Sequence, residues 1–184
     1  MVRYQIGIQT EARIVDAARE LLAENGLDGT TLKAICDRAG VRAGSFYNLF
    51  DSKEELVIRV VRESINAIDP DPDEAGRDTL VDLVEAYIRF ITEEAEVARI
   101  YVQVAITGGS NHGGAATRFL RHHERRVQRF ADAMRRAEPD LDEKESLAQA
   151  EVLLGALDGL AFRWALDTTF DFATHARRAA VRFG

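Results

Sequence analysis

The residue types that could do covalent or metal chemistry in this 184-residue chain are few: His112, His122, His123, His175 and a single cysteine, Cys36. An enzyme needs a nucleophile beside a base, a metal set, or paired carboxylates in a shaped site. His122 and His123 are adjacent, so on a helix they point about 100° apart and do not share a metal. There is no H-E-x-x-H and no cysteine pair, and neither a metal nor a cofactor is implied. The chemistry that remains is recognition by hydrogen bonds. Arg42, Ala43, Gly44, Ser45, Tyr47 and Asn48 are small or polar, and they alternate with Phe46 and Phe50 at i, i+4. A helix with that pattern buries its phenylalanines and turns a low, polar side toward another surface.

The elements that must position this side follow from the flanking residues. Residues 31–53 read TLKAICDRAGVRAGSFYNLFDSK. Ile35 and Ala39 stripe a first short helix, Gly40-Val41 makes a turn, and residues 43–50 form a second. Gly at the turn supplies a backbone conformation that other residues resist. Two helices joined by a short Gly-containing turn make a helix-turn-helix, whose second helix enters the major groove of DNA. Thr31, Lys33, Arg42, Ala43, Gly44, Ser45, Tyr47, Asn48 and Lys53 are the candidate DNA contacts. Cys36 falls in the core of this motif, a packing position.

Ala39-Gly40-Val41, Gly44-Ser45-Phe46-Tyr47, Phe50 and Ser52-Lys53-Glu54-Glu55-Leu56 together resemble the DNA-binding signature of the tetracycline-repressor (TetR) family, over roughly residues 10–60. Members carry Ser or Thr at the position of Arg42, which caps the recognition helix, and often His or Tyr at that of Leu49. Arg42 is therefore free to contact DNA itself. The resemblance implies that Tyr47 and Lys53 reach phosphates, that a body domain binds a small-molecule effector, and that the last two helices pair with a second subunit. It also implies repression of transcription from a palindromic operator, with no enzymatic activity.

Composition bounds the alternatives. Apolar residues make up 46% and charged residues 30%, ordinary for a soluble protein. No run approaches ~20 apolar residues, so no membrane span is expected. The N-terminal MVRYQIGIQT lacks the basic start and apolar block of a signal peptide. One cysteine allows no internal disulfide, consistent with a reduced, cytoplasmic setting. The net charge of −7 is uneven. Residues 1–53 carry 7 basic and 7 acidic groups, residues 54–117 carry 5 and 13, residues 118–136 carry 7 and 2, and residues 137–184 carry 5 and 9. A neutral head on an acidic body is unlike a general DNA-packaging protein, which is basic overall. That alternative and an enzyme in the body are the competing functions.

Hydrophobic periodicity predicts helices throughout and no strand. Residues 1–9 read as a loose arm. A helix follows over 10–25, ended by Asn25-Gly26, and Thr30 or Thr31 caps the next. Ser52 caps a helix to about Ala67, with Glu55 as its capping-box partner. Asp69-Pro70-Asp71-Pro72-Asp73 stops it and is the sharpest break in the chain. The expected division is a helix-turn-helix head over 1–52 and a helical regulatory and dimerisation body over 53–184, about nine helices in all.

Within the body, Leu80 to Ile91 and Val97 to Ala105 stripe two helices. Residues 108–114 form a Gly-rich loop without a phosphate-binding context. Residues 115–137 form an amphipathic helix. Its arginines Arg118, Arg121, Arg125, Arg129 and Arg136 read as a solvated face or a second DNA site, and His123 falls mid-way along its apolar face. That histidine reads as a satisfied core residue or a polar contact for a ligand. Tyr87, Phe90, Tyr101, Phe119, His123, Phe130 and Trp164 are the candidate effector-lining residues, equally suited to a packed core. Residues 147–166 are apolar on nearly every face, so one face is expected to meet a partner, with Gly155 and Gly159 permitting close approach. Leu154, Leu157, Ala161, Phe172, Ala176 and Phe183 are the expected dimer contacts.

Overall fold

A computed structural model describes residues 2–68, 76–107 and 114–183. Among them lie nine α-helices and no strand. They are α1 Val2–Gly29, α2 Leu32–Ala39, α3 Ala43–Tyr47, α4 Lys53–Ile68, α5 Leu80–Glu93, α6 Ala95–Thr107, α7 Gly114–Ala137, α8 Glu143–Leu166 and α9 Phe172–Ala180. No helix among the described residues is long and apolar enough to cross a membrane. The break at Asp69–Asp73 and the loop over 108–113 lie outside the described residues.

Helix α1 starts at Val2, so the segment expected to be a loose arm continues it. Its regular part ends where expected, at Gly26 (φ 67°). The chain is then pinned by buried Thr30, whose hydroxyl donates to the carbonyls of Leu21 (3.0 Å) and Gly26 (2.7 Å). Thr30 thus ties off α1, and Thr31 caps α2 by accepting from the Ala34 N–H at 3.1 Å. Gly40 (φ 65°) closes α2 in the left-handed region, its N–H on the carbonyls of α2's last turn.

The head packs around Ile14, Ala18, Leu22, Ile35, Phe46, Phe50 and Leu56, all buried. Helix α4 joins this core through Leu56, Val57 and Val60 and runs on into the body. The hydrophobic core is therefore continuous from head to body. In the body, α5 carries Leu83, Val84, Tyr87, Phe90 and Ile91 inward, and α6 carries Val97, Ile100 and Tyr101. Thr79 and Asp82 form a reciprocal capping box that starts α5. The short connection over 138–142 sets α7 and α8 side by side, and α9 packs against α8 and α5.

Candidate nucleic-acid interface and ligand cavity

The recognition helix is short. It spans Ala43–Tyr47, then Asn48 and Leu49 turn before Phe50, instead of one helix through residue 50. Burial of Phe46 and Phe50, their rings 5.5 Å apart, seats this segment on the head. That orientation leaves Arg42, Ala43, Gly44, Tyr47 and Asn48 exposed, with Ser45 half-buried at their edge. Arg42 occupies the N-cap position and makes no side-chain cap bond, so its guanidinium is not spent on its own helix. A side chain at Gly44 would meet no atom of this chain within 4 Å, so the space above it is open to a close partner.

Thr31 and Lys33 lie on the exposed side of α2, where the Lys33 ammonium sits 2.7 Å from Asp37. Lys53 is more committed than the sequence suggests. Its Nζ donates to the carbonyls of Leu27 (3.2 Å) and Thr30 (3.0 Å), tying the start of α4 to the end of α1. Two of its three N–H donors thus serve the head's own structure.

The candidate effector residues separate into groups. Two cavities share Arg62, His122 and Arg125 in their walls. One, of about 290 Å³, is also lined by Leu83, Ala86, Tyr87, Phe90 and Phe130 of α5 and α7. The other, of about 310 Å³, lies between head and body and is lined by Glu11, Leu49, Phe50, Arg59 and Tyr101 among others. Tyr87, Phe90, Tyr101 and Phe130 therefore border space that could hold a ligand. Trp164 and His123 line neither cavity. Trp164 is buried beneath the Arg99 guanidinium, 5.6 Å from its ring centroid. The Phe119 side chain lies outside the described residues.

His123 is not in the middle of an apolar face. It sits half-buried at the seam of α7 and α8, its Nε2 3.0 Å from Glu151 Oε1. The neighbouring imidazole takes the inward position instead. His122 lines both cavities, and its Nε2 is buried without a hydrogen-bond partner. Burial, reinforced by Arg126, Arg125 and Arg62, pushes the His122 pKa down to about 4.

A neutral buried histidine gives a pH-dependent stability. The unfolded chain takes up a proton near pH 6.5, whereas the folded chain does so only near pH 4, so the unfolded state binds more protons between these values. This contribution is complete above pH 6.5 and is lost as pH falls toward 4, about 3 kcal/mol in all. His122→Gln removes it. Denaturant unfolding of both proteins from pH 7 to 4 is expected to show a shallower loss of stability in the variant; parallel curves would mean that His122 titrates normally.

Arg126 is a site residue that the sequence reading passed over. It lies four residues after His122 and four before Phe130, on the inward side of α7. Its guanidinium donates to the Tyr101 hydroxyl at 2.8 Å, lies 3.6 Å from Asp158 and stacks 4.7 Å over the Tyr87 ring. The Tyr87 hydroxyl donates to Asp158 at 2.7 Å. The rest of the arginine face divides. Arg129 pairs at 2.6 Å with Asp78, which is 3% exposed, and Arg136 donates to the Asp78 carbonyl, fastening α7 to the start of α5.

The expected dimer contacts are corrected by burial. Leu154, Leu157, Ala161, Phe172 and Ala176 lie inside this chain's own core, none more than 2% exposed, and so offer no surface to a partner. Phe183 is half-buried against the same core. The apolar surface of α8 is instead a stripe of Ala148, Val152, Gly155, Gly159, Phe162 and Leu166, with Val152 61% and Phe162 45% exposed. Side chains at Gly155 or Gly159 would meet nothing of this chain within 4 Å. Val181, just beyond α9, is exposed as well.

No group of three or more His, Cys, Asp or Glu side chains that could hold a metal occurs among the described residues. Burial raises the Cys36 thiol pKa, which disfavours the reactive thiolate.

Comparison with known proteins matches this geometry. The family described as bacterial regulatory proteins, tetR family, covers residues 14–60. The HTH-type transcriptional regulator UidR of Escherichia coli (strain K12) is 31% identical over 142 residues, 72% of this chain and 71% of that protein. The HTH-type transcriptional repressor KstR2 of Rhodococcus jostii (strain RHA1) is 46% identical over 56 residues, 30% of this chain and 26% of its own. Two solved structures share the fold. Salmonella enterica GusR superposes with a TM-score of 0.66 at 23% identity, over 95% of this chain and 94% of that one. FadR from Bacillus subtilis in complex with stearoyl-CoA does so at 0.69 and 17% identity, over 94% and 96%. Identity at the level of UidR, sustained from the head well into the body, establishes that the chain belongs to the TetR family of bacterial regulatory proteins and is a transcriptional regulator.

Proposed function

We propose that the chain is an effector-responsive repressor that binds a palindromic operator as a homodimer. The head is residues 1–52 and the regulatory body 53–184. The observation that carries this reading is the outer side of α3, where Arg42, Ala43, Gly44, Tyr47 and Asn48 face outward from a helix anchored by buried Phe46. Helices of this kind place a few side chains on base edges in the major groove. Arg42 and Ser45 are assigned to bases, and Tyr47, Lys33 and Thr31 to the phosphate backbone. Lys53 keeps one donor for a phosphate after its two internal bonds. The exposed α8 stripe supplies the dimer seam, and a protein that reads DNA in this way works in the cytoplasm.

Release follows from linkage. The cavities border α4, which is rooted in the head core and lines the effector space with Arg62. An effector that favours one tilt of α4 changes the separation of the two recognition helices. Operator half-sites demand a spacing of about 34–36 Å, so differential affinity for the two tilts is enough to release DNA.

The test is binding of Arg42→Ala to DNA flanking the gene and to random DNA, at fixed salt. The variant is expected to lose about 1–3 kcal/mol of discrimination at one position in each half-site, while wild type prefers the flanking fragment. Equal affinity for random DNA would favour an architectural protein, and unchanged base preference would return Arg42 to the backbone.

A further inference from the structure

The walls of these two neighbouring cavities carry a charge imbalance. The smaller one is lined by Arg62, Arg125, Arg126 and Arg129 and by no carboxylate. Arg126 and Arg129 are already matched to Asp158 and Asp78. Arg62 and Arg125 are less well matched: among the described residues neither has a carboxylate within ion-pair distance, Glu63 and Glu11 only partly offset the burial of Arg62, and Arg125 is exposed at the cavity wall. The carboxylates closest to hand are engaged elsewhere. Glu11 and Glu63 both hold Arg59, at 3.1 and 2.6 Å, and Glu55 accepts from the Asp51 N–H at 2.6 Å. Arg62 is half-buried, and burial followed by repulsion from Arg59 works against its charge. Beside the two guanidiniums lies the buried, unpartnered Nε2 of His122.

A buried polar atom without a partner and a half-buried cation whose neighbouring carboxylates are bound to another arginine are both unfavourable. They converge on one space, and that space has a complementary end. Leu83, Ala86, Phe90 and Phe130 supply apolar walls to the same cavity. Ligand sites have this character, a mostly apolar enclosure with a few convergent polar groups that fix orientation.

We propose that this space binds a small amphiphilic organic anion, whose carboxylate, sulfonate or phosphate group sits on Arg62, Arg125 and His122 while its apolar part lies against Phe90 and Phe130. The guanidiniums supply charge-assisted, planar donors suited to an oxyanion. His122 is neutral in the free protein and donates or accepts one hydrogen bond at the same group. The site rests on the reading of the body as the effector-binding part. It also places the effector's charge on α4, the helix that carries the signal to the head.

The test uses two fluorophores with one skeleton. 1-Anilinonaphthalene-8-sulfonate is an anion, and N-phenyl-1-naphthylamine lacks the sulfonate and is neutral. Titrated into the full-length protein without DNA, the anion is expected to saturate one site per chain with at least tenfold higher affinity. Arg62→Met and Arg125→Met are each expected to remove that advantage, a loss of about 10- to 100-fold for a charge-assisted contact, while leaving the neutral compound unchanged. Arg62→Lys, with unchanged helical circular dichroism, is expected to retain part of it, which separates lost charge from lost fold. Equal affinities for the two compounds, no saturable site for the anion, or an advantage that survives either methionine substitution overturns the proposal. Because no DNA is present, failure here leaves operator recognition standing, and failure of operator binding leaves this site standing.

Discussion

Val152→Glu combined with Phe162→Glu is expected to give a folded monomer of 20.5 kDa that binds operator at least 100-fold more weakly than wild type. Both side chains reach the surface in the isolated chain, Val152 61% and Phe162 45% exposed, so charging them costs internal packing far less than charging Leu154, which has no exposure. In a dimer built on the α8 stripe, the same carboxylates from two subunits meet across a desolvated seam close to Gly155 and Gly159, where helix backbones approach. Unpaired buried charge is strongly unfavourable, by several kcal/mol. Operator affinity falls with it because two linked heads bind one palindrome as a single event, and that linkage is worth 10²–10⁴ in affinity. Sedimentation velocity and operator anisotropy on the same sample check both parts. A variant that still sediments as a dimer would place the seam elsewhere. Leu154→Glu behaves differently: Leu154 has no exposure at all, so a charge there is expected to unfold the chain and not to divide a dimer.

Asp158→Ala is expected to lower stability by about 3 kcal/mol, roughly 6–12 °C in Tm for a chain of this size. Asp158 is the carboxylate facing the deeply placed Arg126 and is also the acceptor for the Tyr87 hydroxyl. Its removal leaves a charged guanidinium facing, among the described residues, the two tyrosines Tyr101 and Tyr87 and no carboxylate partner, and leaves the Tyr87 O–H without its acceptor. Breaking one side of such a pair costs more than never having had it. Asp158→Ala with Arg126→Met removes both charges and is expected to recover most of the loss. A double variant no more stable than the single one would show that the Arg126 and Asp158 charges are not coupled.

Much of the fold was legible because its signals are local. Gly26 and Gly40 are glycines in left-handed conformations where helices end, and Thr31 is a side chain accepting from a first-turn N–H group. Such features depend on a few neighbours, and the sequence displays them directly. The outward side of α3 was legible for the same reason, since Phe46 fixes which way five residues point. The length of α3 was not. Ala43 to Phe50 satisfies a helical spacing, but Phe50 reaches the same core from a turn.

The dimer face and the cavity depended on packing that periodicity does not encode. Helix α8 is apolar all round, so its pattern cannot separate the side facing this chain from the side facing a partner. The larger residues Leu154 and Leu157 went inward, while glycine and alanine alternate with Val152 and Phe162 outside. The small residues were the usable signal, because they favour close helix contact and offer a monomer core little. On α7 a rotation of one residue exchanged the roles of two histidines. His123 met Glu151, and His122 turned inward. The helical spacing from Arg126 to Phe130 already pointed to His122, four residues earlier, but a charged residue was not read as inward. Arg62 was invisible for another reason. It belongs to the helix that links head to body, and only the tertiary arrangement brings it beside Arg125.

The central claim is that two copies of this chain read one palindrome through paired α3 helices. Footprinting on the DNA flanking its own gene tests it most directly. The protein is expected to protect a single inverted repeat, with half-sites centred about one helical turn, ~34–36 Å, or a small multiple of it apart, and Val152→Glu/Phe162→Glu is expected to abolish that protection at the same concentration. Protection without two-fold symmetry, or an undiminished footprint from the monomeric variant, would contradict it.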